Sequence, residues 1–88
     1  MPEEIFLDVC GLEPPEPFER ATAALRALQP GQYLKLIIPR QPRLLYPWLA
    51  QQGFLECTRE AAPDRFEVYV WRAGDRDCSE TIADLSSA

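Results

Sequence analysis

Histidine is absent from the 88 residues, and serine is confined to Ser79, Ser86 and Ser87 near the end of the chain. The first absence removes the commonest general base and with it every Ser-His and Cys-His pair. The second leaves the body of the sequence without a serine nucleophile. Cysteine occurs three times, as Cys10, Cys57 and Cys78, an odd number without metal-ligand spacing. Neither a disulfide framework nor a metal site is expected from them, and nothing calls for a cofactor. No apolar run approaches the length of a membrane helix, and Glu3 and Glu4 stand where a secretory signal is basic. A soluble, cytoplasmic protein without a membrane partner is the expectation. Carboxylates are plentiful, but no pair stands out as a hydrolytic couple.

What is present is a short chain with room for one modest core. Its net charge of −5 argues against nucleic acid, whose phosphates require a basic face. The charge is unevenly spread. The first nineteen residues carry six acids and no base, whereas residues 20–55 carry Arg20, Arg26, Lys35, Arg40 and Arg43 and no acid at all. Such a middle suits an anionic ligand, an acidic partner, or an internal match for the acidic start.

Hydrophobic spacing divides the chain into alternating strands and helices. Ile5, Leu7 and Val9 alternate with Phe6 and Asp8 as a strand. Phe18, Ala21, Leu25 and Leu28 recur at helical spacing, with Ala24 beside them and Thr22 on another face, until Pro30-Gly31 stops the run. Leu34, Leu36 and Ile38 share one face of a second strand, opposite Tyr33, Lys35 and Ile37. A second helix is expected from about Leu44, with Pro47 in its first turn, because proline deep in a helix costs about 3 kcal/mol. Residues 54–60 and 65–72 read as strands of a hairpin with 61–64 as its loop; the spacing leaves the phase of the first ambiguous, with Leu55 and Cys57 the favoured inward set, and puts Phe66, Val68 and Val70 inward on the second. After Ala73 the composition turns small and polar, so 1–73 is expected as a single domain and 74–88 as a flexible tail, with at most one weak helical turn from Ser79 to Leu85. The order β-α-β-α-β-β implies an α/β (α+β) two-layer sandwich, a four-stranded mixed sheet with two helices on one face.

The organising stretch runs from Leu7 to Arg20, where an apolar strand ends at Gly11 and Pro14, Pro15 and Pro17 open a helix. Leu7, Asp8, Gly11, Leu12, Pro15 and Pro17 give it a resemblance to the TusA/SirA-like sulfur carriers, whose first strand and helix are joined by Leu-Asp-x-x-Gly-Leu-x-Cys-Pro-x-Pro. The resemblance covers roughly 5–72 and implies the strand order 1-2-4-3, with one antiparallel strand, and a bacterial setting in sulfur transfer. It places the carriers' sulfur-bearing cysteine on Pro14, which has no nucleophile. A branch of that superfamily known only as a domain of unknown function shares this substitution and a second element like Arg40-Gln41-Pro42-Arg43-Leu44-Leu45-Tyr46-Pro47.

Both helix N-termini are expected at one end of the sheet, bringing Pro14, Pro15, Glu16, Pro17 and Arg20 towards Arg40 and Arg43. Free amides of the first helical turn would assist the arginines in holding a small anion or a protein partner. The alternative is that Arg40 and Arg43 pair with Glu13 or Glu16 and only pin the loops. Cys10 is the rival nucleophile, for a sulfurtransferase or thiol-redox carrier, although it falls short of the helix turn that would activate it. Cys57 is expected in the core and Cys78 in the tail. On the far face, Phe6, Tyr33, Ile37, Tyr69 and Trp71 form either an exposed patch suited to a homodimer or docked protein, or a surface covered by the tail.

Overall fold

Two stretches of alternating side chains, Glu3–Asp8 (β1) and Gln32–Ile38 (β2), lie side by side in parallel, with Ile5 opposite Leu34 and Leu7 opposite Leu36. They belong to a computed structural model that describes residues 2–86. Between them runs Glu16–Arg26 (α1), and after them come Leu45–Gln52 (α2), Phe54–Ala62 (β3), Arg65–Arg72 (β4) and Arg76–Ser86 (α3). The sheet has the order β1-β2-β4-β3, with β4 antiparallel to both of its neighbours. The mixed four-stranded sheet and its strand order are those expected from the sequence and the resemblance.

One face of the sheet packs on α1 and α2. Leu34 and Leu36 of β2 and Val68 and Val70 of β4 meet Ala21 and Leu25 of α1 and Leu45 and Leu49 of α2 in one buried cluster. Period two in the strands and period 3.6 in the helices both aim apolar groups at this layer. Pro47 sits in the first turn of α2, as its cost deeper in a helix requires. That helix ends at Gly53, whose φ of +82° lies in the left-handed region that favours glycine.

The other face is closed by α3, which corrects the expectation of a loose tail. Cys78 and Ile82 are buried against Tyr33, Tyr69 and Trp71. Asp75 builds the start of this helix: its Oδ1 accepts the Cys78 amide at 3.2 Å and its Oδ2 the Gly31 amide at 3.0 Å. The patch proposed as an interface is therefore not exposed. Tyr33, Ile37, Tyr69 and Trp71 are all buried, and only Phe6, on edge strand β1, stands out at 56% exposure. A helix with so few apolar residues holds because the sheet face beneath it is aromatic and would otherwise meet water.

The hairpin also departs from expectation. β3 extends to Ala62, which pairs with Arg65, so the turn is only Pro63-Asp64, with a register shift between Glu60 and Ala62. The phase of β3 is opposite to the one read from the sequence. Phe54 joins the cluster under α1 and α2, Leu55 is exposed, and Cys57 packs half-buried on the α3 side. β3 is an edge strand with Phe54 as its one buried residue, so its apolar alternation is too weak to tell inside from outside.

Candidate functional site

The exit of β1 is fixed by local bonds. Asp8 Oδ1 accepts the Cys10 amide at 2.9 Å, the Leu12 amide reaches Val9 O at 3.3 Å, and Gly11 takes φ of +87°, a turn that a side chain would strain. The chain then passes through Glu13 and Pro14 into α1, whose start at Pro15 has no side-chain cap. On the neighbouring strand, β2 ends at Ile38, and residues 39–44 fold across to α2, the Leu45 amide closing the turn on Pro42 O at 3.0 Å.

These two junctions lie together, as expected from the order of the elements, and between them is a groove of about 300 Å3. Pro14, Pro17, Arg40 and Arg43 line it. So do Phe18 and Leu44, which the sequence reading had not placed there. Phe18 belongs to the helical repeat of α1 but is 37% exposed, whereas Thr22, read as an outer residue, is buried and its hydroxyl donates to Glu19 O at 3.1 Å. Leu44 precedes the first turn of α2 and is 85% exposed. The signal for both was present, since each lies within four residues of a first-turn proline and faces the same end of the sheet.

The other predicted residues fall elsewhere. Pro15, Glu16 and Arg20 line a separate hollow on the outer side of α1, together with Pro14, Glu13 and Glu19. There the Arg20 guanidinium bonds Glu16 Oε2 at 3.0 Å, so that arginine is already partnered. Arg40 and Arg43, by contrast, are exposed, and among the described residues their side chains make no hydrogen bond or ion pair. No carboxylate lines the groove they border. The reading in which they merely pin the loops to Glu13 or Glu16 is not what the geometry shows.

The seat of free amides expected at α1 is depleted. Of its first three residues, Pro17 has no amide hydrogen and the Glu16 amide is bonded to Glu13 O at 3.0 Å, which leaves Phe18. The first turn of α2 repeats the pattern, with Leu45 bonded to Pro42 O, Pro47 lacking the hydrogen, and Tyr46 remaining. Proline suits a first helical turn, but each one also removes a donor that an oxyanion would use.

None of the three cysteines lines these hollows. Cys10 is exposed at the β1 exit and lines none of the hollows around Pro14. Its thiol is held above the ordinary range, first by loss of solvent around the sulfur and then by the hydrogen bond and charge of Asp8. Cys78 is in the core rather than a tail, and its thiol is pushed up to about 11, chiefly by burial. No group of three or more His, Cys, Asp or Glu suited to a metal ion occurs among the described residues, and no helix among them is long and apolar enough to cross a membrane.

Residues 6–72 match the family described as Uncharacterized conserved protein (DUF2249). The chain belongs to the DUF2249 family. No curated protein matches it significantly, and neither does any solved structure. The DUF2249 match takes in the sheet from Phe6 onward, α1, α2 and the whole groove between them, and it ends with the last residue of β4. Helix α3 lies beyond it.

Proposed function

We propose that this chain is a non-catalytic binding module that docks an anionic small molecule or the anionic part of a protein partner between the N-termini of α1 and α2. The observation that carries this reading is the pairing of Arg40 and Arg43, unpartnered among the described residues, with a groove whose other walls are almost entirely apolar. The groove itself is lined by no thiol, hydroxyl, imidazole, amine or carboxylate side chain, which favours holding over chemistry there. A sulfurtransferase acting through Cys10 is disfavoured by the raised thiol pKa, since the thiolate is the reactive form. The proposal that the fold descends from a sulfur carrier that lost its nucleophile rests on the sequence resemblance at 7–17.

Amide chemical-shift mapping of the full chain with acetate, sulfate and thiosulfate tests the reading. Saturable shifts at 12–18 and 38–46, weakened in Arg40→Ala/Arg43→Ala, are expected. Mass spectrometry after incubation with a persulfide donor is the counter-test. A gain of one sulfur atom that disappears in Cys10→Ser would overturn the proposal in favour of a carrier.

A further inference from the structure

We infer that the groove takes an aliphatic monocarboxylate, a molecule with one planar anionic head and a short apolar tail, rather than an inorganic or phosphorylated anion. The inference rests on the binding reading above and narrows it to a ligand class. Three features of the site converge on this chemistry.

The first is the head group. Phosphate and sulfate sites at helix N-termini depend on several backbone amides converging on tetrahedral oxygens. Here each helix brings a single such amide, from Phe18 and from Tyr46, because the prolines and the closed turns remove the others. What remains is the pair Arg40 and Arg43, and the guanidinium fork matches a planar carboxylate through two parallel N–H···O bonds.

The second is the tail. Phe18, Leu44, Ala21, Leu36 and Ile38 line the same groove as the arginines. Among the described residues five large apolar side chains are exposed, Phe18 and Leu44 are two of them, and Leu44 is the most exposed. A fully polar anion would leave these walls in water, whereas an alkyl chain would cover them. The third is size: about 300 Å3 lies at the lower end of the range of ligand clefts and suits a medium-length alkyl acid.

The test is a chain-length series on the full chain, with acetate, hexanoate and octanoate below micellar concentration, octanol as the neutral analogue, sulfate, and a short peptide ending in two leucines. Amide shifts at 14–18 and 36–46 should saturate with octanoate, and affinity should rise about fourfold for each methylene buried. Octanol should bind at least tenfold more weakly, as should octanoate with Arg40→Ala/Arg43→Ala. Leu44→Ser, at an exposed position that leaves the fold intact, should flatten the chain-length dependence without abolishing acetate binding. Equal affinity for acetate and octanoate, or sulfate binding more tightly than either, would overturn the apolar tail while leaving an anion site standing. Octanoate shifts centred on Tyr33, Tyr69 and Ile82 would overturn the inference by placing the ligand under α3. Tighter binding of the peptide would replace the small acid with a protein C-terminus. No shift at these amides with any probe would remove the small-anion site altogether.

Discussion

Trp71 donates its indole N–H to Ser79 Oγ at 2.6 Å, tying the penultimate residue of β4 to helix α3. Trp71 lies inside the DUF2249 match and Ser79 outside it, so the bond joins the matched sheet to a segment beyond the match. Around it, Cys78 Sγ donates to Gln32 O at 3.5 Å and Asp75 holds the Gly31 amide, so α3 is fastened to β4, to β2 and to the turn before β2. If this layer is part of the folded unit, Ile82→Ala will lower stability by about 2 to 5 kcal/mol in urea denaturation, the usual cost of emptying a buried aliphatic site. A loss under about 0.5 kcal/mol, the range of surface changes, would mean that the helix does not pack there.

Asp75 is the cap on which α3 depends. Its carboxylate accepts amides from Cys78 and Gly31, and these bonds, the Cys78 one foremost, hold its pKa below the ordinary value. Asp75→Ala should cost about 0.5 to 2 kcal/mol, with Asp75→Asn recovering part of it because the amide oxygen still accepts. A depressed folded-state pKa means stability that is present above the unfolded value of 3.8 and is lost as pH falls through the lower folded value. Acid titration of stability should therefore be shallower in Asp75→Asn than in the native chain below pH 3.8.

The element order, the two strand faces around Leu34 and Val68 and the first-turn place of Pro47 were all legible in the sequence, because each rests on a local rule that packing does not overturn. α3 was legible only as one weak turn from Ser79 to Leu85, although Gly74-Asp75 followed by Cys78, Ile82 and Leu85 is a cap and a helical spacing. Three apolar residues among acids and serines form a helix only when a partner surface exists, and that surface belongs to β2 and β4. The phase of β3 was lost because this edge strand carries apolar groups on both faces, Phe54 towards α1 and α2 and Leu55 and Cys57 on the other side, and most of it stays exposed. At the site, Arg40 and Arg43 could be named from charge, but not that they make no ion pair among the described residues while Glu16 pairs with Arg20 within α1.

Alkaline pH should loosen the α3 face before the rest. The Cys78 thiol titrates at 9.0 when unfolded and is raised to about 11 by burial, with the carboxylate of Asp75 adding to it. Tyr33 is raised from 10.0 to about 12, first by burial and then by its bond to Glu4, whose Oε1 it meets at 3.1 Å. A group held protonated in the fold contributes stability that is full below its unfolded pKa and is lost as pH rises through the folded value. Stability should thus fall from pH 9.0 towards about 11 through Cys78 and on towards about 12 through Tyr33. Cys78→Ala should lower stability at neutral pH yet remove the first part of that decline, and an unchanged slope in denaturation series would contradict the burial of this thiol.

Thiol labelling separates the three cysteines by the same logic and bears directly on the rival chemistry. Cys10 is exposed, Cys57 half-buried and Cys78 fully buried, so a disulfide reagent should find one accessible thiol, one slower thiol and one that reacts only on unfolding. Access alone would make Cys10 a fast reactant. Its raised pKa, from lost solvent and from Asp8, works the other way by depleting the thiolate. The expected result is a rate for Cys10 at neutral pH below that of a free cysteine, increasing in Asp8→Asn, which keeps an acceptor for the Cys10 amide but removes the charge. Reaction faster than free cysteine would require a cation or helix terminus acting on the sulfur, and would return Cys10 to consideration as a carrier. Arg65 is the cation whose charge acts in that direction, and it ranks below Asp8 among the influences on this thiol. Arg65→Ala should therefore slow the reaction only slightly, whereas a large loss would identify the activating group.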